Sequence, residues 1–256
     1  LSSNVSAAGW AEVADSTFGG YSYYCVDFSS SFGVITGNGS RVMTSTDSGV
    51  TWAANTVGFG TYMGCAVLSS TTAIIVGTSG NIYRTTNSGT TWTLMPSGVT
   101  STLYAVDMIT STVGWATGSS GTVLKTSDGG AVWTPQTAGT GTYSDLVALS
   151  STSAVIANIT SREVWRTTNG TTWSLVDANL AIGSTTALEV LSSSSYLMAD
   201  SDDVTYTTNS GTSWSSASGT FSSVSDIDMY GASTGFLANW SSLMETSDGG
   251  HTWTTI

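Results

Sequence analysis

The stretch KTSDGGAVW, Lys125 to Trp133, sets a cation, the Asp128 carboxylate and two glycines, Gly129 and Gly130, beside an indole. A glycine-rich turn with an acid can hold a hard cation or cradle a phosphate. Three more carboxylates, Asp27, Asp107 and Asp228, fall at matching positions of a β-rich segment that recurs along the chain. Brought together on an axis they could take a Ca2+ ion, which wants several oxygens. Two carboxyls about 5–10 Å apart across a cleft are the acid and base of a glycosidase. Little else is available. The single histidine, His251, lies inside another copy of the glycine turn, as exposed decoration, and has no serine or cysteine partner in the sequence pattern. Zinc spacing and a phosphate loop are both missing. No catalytic residue is therefore assigned, and no cofactor is implied beyond that possible Ca2+.

The elements that carry these residues repeat. The stretch occurs six times, with an acid or amide at Asp47, Asn87, Asp128, Asn169, Asn209 and Asp248, and with a tryptophan at Trp52, Trp92, Trp133, Trp173, Trp214 and Trp253. Successive tryptophans are 40, 41, 40, 41 and 39 residues apart. Three of the six copies carry Asn, which a metal ligand or catalytic acid would rarely tolerate but a turn-capping acceptor would. The box is thus a hairpin fastening: the acid or amide caps backbone N–H groups, the next glycine supplies positive φ, and the tryptophan seals the hairpin.

Each period holds four short β-rich segments between Gly, Ser, Thr and Asn turns, with no sustained 3.6-residue apolar period. Four strands per ~40 residues is the signature of a β-propeller, each blade leaning on its neighbours. The fold class is all-β, a single domain over 1–256 with four-stranded antiparallel blades at about 16–56, 57–97, 98–138, 139–178, 179–218 and 219–256. Six blades are expected, with seven as the alternative. Trp10 lies 42 residues before Trp52, so residues 1–15 read as an extra outer strand.

The six S/T-x-D/N-x-G-x-T-W copies resemble Asp-box, or bacterial neuraminidase, repeats. The third copy, LYAVDMITSTVGWATGSSGTVLKTSDGGAVW, is similar to the repeat of the photosystem II assembly-factor group. The resemblance spans essentially the whole chain and implies the propeller. It implies much less about function, since such boxes recur in sialidases, xyloglucanases, sorting receptors and assembly factors. A sialidase implies three converging arginines and a Tyr–Glu pair. Here the arginines are Arg41, Arg84, Arg162 and Arg166, and Arg84 and Arg166 share a column with Lys125 just before the box, at the blade edge. Xyloglucanases of this type imply a cleft between two propellers, and the chain has one. The assembly-factor group implies seven blades and an arginine-rich docking surface, which four arginines do not build.

With 5 basic against 17 acidic residues and a net charge of −12, the chain lacks the basic surface that nucleic acid or an anionic membrane needs. No apolar run approaches a spanning segment. Few lysines and much Ser and Thr suit an extracellular or cell-surface protein. Cys25 and Cys65 align in one inner-strand column of adjacent blades, give or take one residue. A bridge needs Cα atoms within about 7 Å, and both a bridge and two buried thiols stay open. Sequons fall at Asn4, Asn38, Asn158, Asn169 and Asn239; Asn38 and Asn239 lie at b–c turns that could carry a glycan. Asp200, Asp202 and Asp203 read as a charged hairpin protecting a rim. The expected function is a non-catalytic extracellular propeller for protein binding or self-assembly, for example in a surface appendage, filament or coat. The alternative is a glycan-binding module that stacks sugars on Trp115, Trp165 or Trp240, and the lesser alternatives are a glycoside hydrolase and a photosystem-assembly-type factor.

Overall fold

The computed structural model describes residues 18–158, 163–177 and 187–256. Trp10, Asn4, Arg162 and the expected strand over 1–15 lie outside them. Six four-stranded antiparallel sheets follow one another along the chain, each in simple a–b–c–d order. The a strands are Tyr23–Ser29, Tyr62–Val67, Leu103–Met108, Tyr143–Ser150, Ala187–Val190 and Asp226–Tyr230. They stand around an axis. The d strands, outermost, are Ala53–Thr56, Thr93–Met95, Thr134–Gln136, Trp173–Asp177, Ser215–Ser216 and Thr254–Thr255. No helix among the described residues is long and apolar enough to cross a membrane.

Blades are joined through their faces. A strand side chain points to one face and its neighbour to the other, so one inner-strand row looks forward to the next blade and the adjacent row looks back. The b strands are apolar on both faces, with Val34, Ile74, Trp115, Val155 and Leu197 all 0% exposed. Apolar clusters join blade 1 to 2, 2 to 3, 3 to 4, 4 to 5 and 5 to 6.

The boxes are built alike. The hydroxyl two residues ahead of the acid is buried, as at Thr126, and donates to Asp128 Oδ1 at 2.9 Å while accepting the Gly130 N–H at 2.9 Å. Asp128 Oδ1 accepts the N–H groups of Ala131 and Val132, both at 3.0 Å. Asn87 keeps this pattern, with its Oδ1 accepting Thr91 N–H at 2.9 Å and its amide donating to Thr91 Oγ1 at 2.9 Å. An amide therefore serves as well as a carboxylate. Hydrogen bonds from Thr51 hold Asp47 down at about 2, and those from Thr252 outweigh partial desolvation to hold Asp248 at about 2.

Box glycines such as Gly130 and Gly250 have φ near 80°. A Cβ on Gly130 would also strike Ile74 of the preceding blade, and one on Gly250 would strike Leu197. Close approach and left-handed backbone both require glycine there. The fourth box lacks one residue. Asn169 therefore caps Thr171 and Thr172, and the Trp173 indole turns to Gln136 of blade 3 at 2.8 Å instead of bonding its own turn. The indoles of Trp52, Trp133 and Trp253 donate to the carbonyls of Gly49, Gly130 and Gly250 at 3.0, 3.1 and 2.9 Å.

Candidate functional site

The inner strands surround a cavity of about 710 Å³. Its most prominent wall groups come from an irregularity. In blades 1 to 4 the register with the b strand slips near the start of the a strand, leaving Tyr24, Met63, Tyr104 and Ser144 as the extra residues. A bulge re-aims the side chain it carries, and all four line the cavity together with Asp145, Ser225 and Asp226. Periodicity did not single out these four, because a slip of one residue is invisible to a two-residue alternation.

The acids are structural at three junctions. Asp27 Oδ2 accepts the N–H of Val67 in the next blade at 2.6 Å, and Asp107 Oδ2 accepts that of Ala148 at 2.7 Å. Asp145 Oδ2 accepts Leu188 N–H at 2.7 Å, and its Oδ1 accepts Leu146 N–H at 2.8 Å. Asp228 is exposed on blade 6. So the expected trio splits: Asp27 and Asp107 serve as latches between blades, and Asp228 has a different setting. Three more inner-strand acids, Asp145, Glu189 and Asp226, were not expected. Asp145 and Asp226 stand two residues before the expected column, on the same face, and Glu189 stands in that column where blade 5 departs from Asp.

Burial sets the electrostatics. It raises Asp27 and Asp107, the latter helped by the Asp27 charge, against the hydrogen bonds that each accepts. Burial pushes Asp145 up to about 7. It pushes Glu189 up to about 8, with the charges of Asp228, Asp145, Asp226 and Asp107 adding to it. Among the described residues, no group of three or more His, Cys, Asp or Glu side chains is arranged to hold a metal ion.

Cys25 and Cys65 form a disulfide, with Cα atoms 5.9 Å apart. The one-column alignment is corrected here. Cys25 pairs with Thr36 in the row where blade 2 has Gly64, opposite Val76, and Cys65 is one residue further on, opposite Ile75. That single offset turns Cys25 forward and Cys65 back, so the sulfurs meet between the blades.

Other expected residues move away from ligand roles. Trp115 is fully buried under Lys125, whose Nζ is 4.8 Å from its ring centroid. Trp165 is partly buried and donates to Glu163 at 3.0 Å. Trp240 alone of the three is exposed, at 83%. His251 is not free decoration: it stacks on Tyr206 of blade 5, centroids 4.1 Å apart. Lys125 and Arg84 staple blades together, donating to the box carbonyls of Gly170 (3.0 Å) and Gly129 (2.8 Å) in the following blade. Asp200 is buried and caps Asp202 and Asp203 N–H groups at 2.7 Å, so that hairpin is a fastened turn before it is a charged rim. Asn38 and Asn239 are committed in a similar way, accepting N–H groups of Ser22 (3.1 Å) and Ser222 (2.8 Å).

The fold and its axial cavity define a protein class, the β-propeller of four-stranded blades. Within it, the chain is similar to two solved propellers, YCF48 bound to D1 peptide and YCF48 from Cyanidioschyzon merolae. The first has 18% identity and a TM-score of 0.73, with 92% of this chain and 80% of that one covered. The second has 15% identity and a TM-score of 0.75, covering 92% and 85%. A GH74 enzyme of Niastella koreensis matches at 17% identity and a TM-score of 0.68, with 87% of this chain against 44% of the enzyme. No family model and no curated protein sequence matches the chain.

Proposed function

We propose that this is a non-catalytic propeller that binds a polypeptide at the axial mouth. The observation that carries the proposal is the set of bulged residues. Tyr24, Met63 and Tyr104 converge on a 710 Å³ cavity beside Asp145 and Asp226. Aromatic rings and a thioether form an adaptable apolar platform, and acids at its edge favour a segment that carries Lys or Arg. A structurally similar propeller, YCF48, solved bound to D1 peptide, is in keeping with this. Three of the acids are engaged by backbone N–H groups of the next blade, which suits a structural role better than an acid–base pair.

The box repeats favour membership of the Asp-box propellers. The Cys25–Cys65 disulfide favours an oxidising, extracellular or cell-surface setting. Self-assembly into an appendage or coat belongs to the same proposal. Glycan binding is the second reading, favoured by exposed Trp240 (83%) and Tyr230 (87%).

The test uses labelled hexapeptides of varied charge, alongside a glycan array and an assay for glycoside hydrolysis. Lys- or Arg-containing peptides with an apolar residue should bind, and Tyr24→Ala/Tyr104→Ala should weaken them at least tenfold. Glycan binding, or hydrolysis, with no peptide bound would overturn the proposal.

A further inference from the structure

Neighbouring blades along the chain meet alike, but among the described residues the junction from blade 6 to blade 1 stands open. The back-facing inner-strand residue is Cys65, Val106, Leu146, Leu188 or Ile227 in blades 2 to 6, at most 8% exposed. In blade 1 it is Val26, at 60%, with Phe28 beside it at 40%. On blade 6 the forward-facing Asp226 and Asp228 are exposed, and so is Glu245 in the column from which Arg84 and Lys125 reach the next box. The glycines report the same thing independently. A Cβ on Gly89, Gly130, Gly170, Gly211 or Gly250 would press on the preceding blade, whereas one on Gly49 of blade 1 meets only Phe28 and Trp52 of its own blade.

The two walls specify what fits between them. At three closed junctions a forward-facing acid accepts one N–H from the next a strand, always one residue further along: Asp27 from Val67, Asp107 from Ala148, Asp145 from Leu188. By register with the b strand, Asp226 stands at the Asp145 position and Asp228 at the position of Asp27 and Asp107. Blade 6 thus offers both acceptors at once, spaced for two amides on one strand. The blade 1 wall offers Val26 and Phe28, the side that an apolar b strand covers elsewhere. An a strand with two free N–H groups, backed by an apolar b strand, satisfies both walls.

We propose that the gap between blade 6 and blade 1 is a docking site for the a, b and c strands of one further box-type blade, supplied by polypeptide other than residues 18–256. This goes beyond the axial-mouth proposal and does not depend on it. A strand trio without inner-strand acids is the best fit, because an acid draws the following N–H to itself, as Asp27 does with Phe28 at 2.7 Å. Blade 2 has this character, with Gly64 and Ala66 at the two positions.

The probe is therefore a synthetic copy of residues 61–85 with Cys65→Ser, used in two forms: added to the 256-residue protein, and joined after Ile256 by a short flexible linker. Amide exchange, read residue by residue, should slow at least tenfold at Val26, Ile227 and Asp228 in one form or both, with a scrambled copy inert. Asp226→Ala/Asp228→Ala, which removes both acceptors, should remove at least tenfold of that protection, while Tyr24→Ala/Tyr104→Ala leaves it intact. Unchanged exchange at these residues in both forms overturns the proposal. So does slowing at Val26 that depends on the concentration of the protein alone, since that assigns the face to a second copy.

Discussion

Glu189 should make this protein lose stability as pH rises through neutrality. Its carboxyl moves from 4.5 to about 8 on folding, through burial and then the charges of Asp228 and three other acids. A folded pKa above the unfolded one means that the folded chain keeps a proton which the unfolded chain has released. The contribution is therefore whole below about pH 4.5 and is withdrawn as pH climbs to about 8. At about 1.4 kcal/mol per pH unit the full withdrawal is on the order of 5 kcal/mol, an upper figure because the neighbouring acids share it. Glu189→Gln keeps the shape and has no proton to lose. The variant and the parent should melt within a few degrees of each other at pH 4.5. By pH 8.5 the variant should melt on the order of 10 °C higher, taking about 2–4 °C per kcal/mol for a chain of this size. Differential scanning calorimetry in matched-ionic-strength buffers measures this. Melting curves that stay parallel from pH 4.5 to 8.5 would refute the account, because the proton on Glu189 would then be the same in both states.

Three further outcomes are expected. Cys65→Ser should cost about 3–4 kcal/mol in urea unfolding, as expected for a bridge closing a loop of roughly 40 residues, and added reductant should bring the parent to the level of the variant. Thr126→Val should cost about 1–3 kcal/mol because it strands the buried Gly130 N–H, whereas Asp128→Asn should leave the denaturation midpoint nearly unchanged, since Asn already fills three of the six boxes. Below pH 4 stability should fall again as Asp47 and Asp248, held at about 2, take up protons in the unfolded chain first; Asp47→Asn/Asp248→Asn should flatten that acid limb in a thermal-melt series.

The boxes were legible because they repeat: a 40-residue period with an acid or amide, a glycine and a tryptophan at fixed offsets leaves few folds, and four β-rich segments per period leave one. Function-bearing positions were less legible, since they depend on departures from the repeat. Tyr24, Met63 and Tyr104 reach the axis through a slip in strand register. Cys25 and Cys65 meet because they are one residue out of column. His251 and Lys125 are explained by the following or preceding blade, which lies some 40 residues away in sequence but a few ångströms away in space. Asp27, Asp107 and Asp228 look equivalent in the sequence. They differ because, among the described residues, no following blade offers an N–H to blade 6 as blades 2 and 4 do to blades 1 and 3.

The open junction also changes what sort of object the molecule is mechanically. A sealed ring has no end from which to unravel, whereas the described residues form six blades joined at five faces, a linear array with two ends, and the terminal repeats of such an array fray first. Both termini carry reinforcement. Blade 1 is riveted covalently to blade 2 by Cys25–Cys65. Blade 6 is stitched to blade 5 by the Ser218–Thr252 bridge, where Ser218 donates to the His251 carbonyl and accepts the Trp253 N–H, both at 2.8 Å. Pulled apart or heated, such an arc should yield in its interior or at the stitched end before the riveted one, so the direction in which it comes undone is written into which seam received the sulfurs.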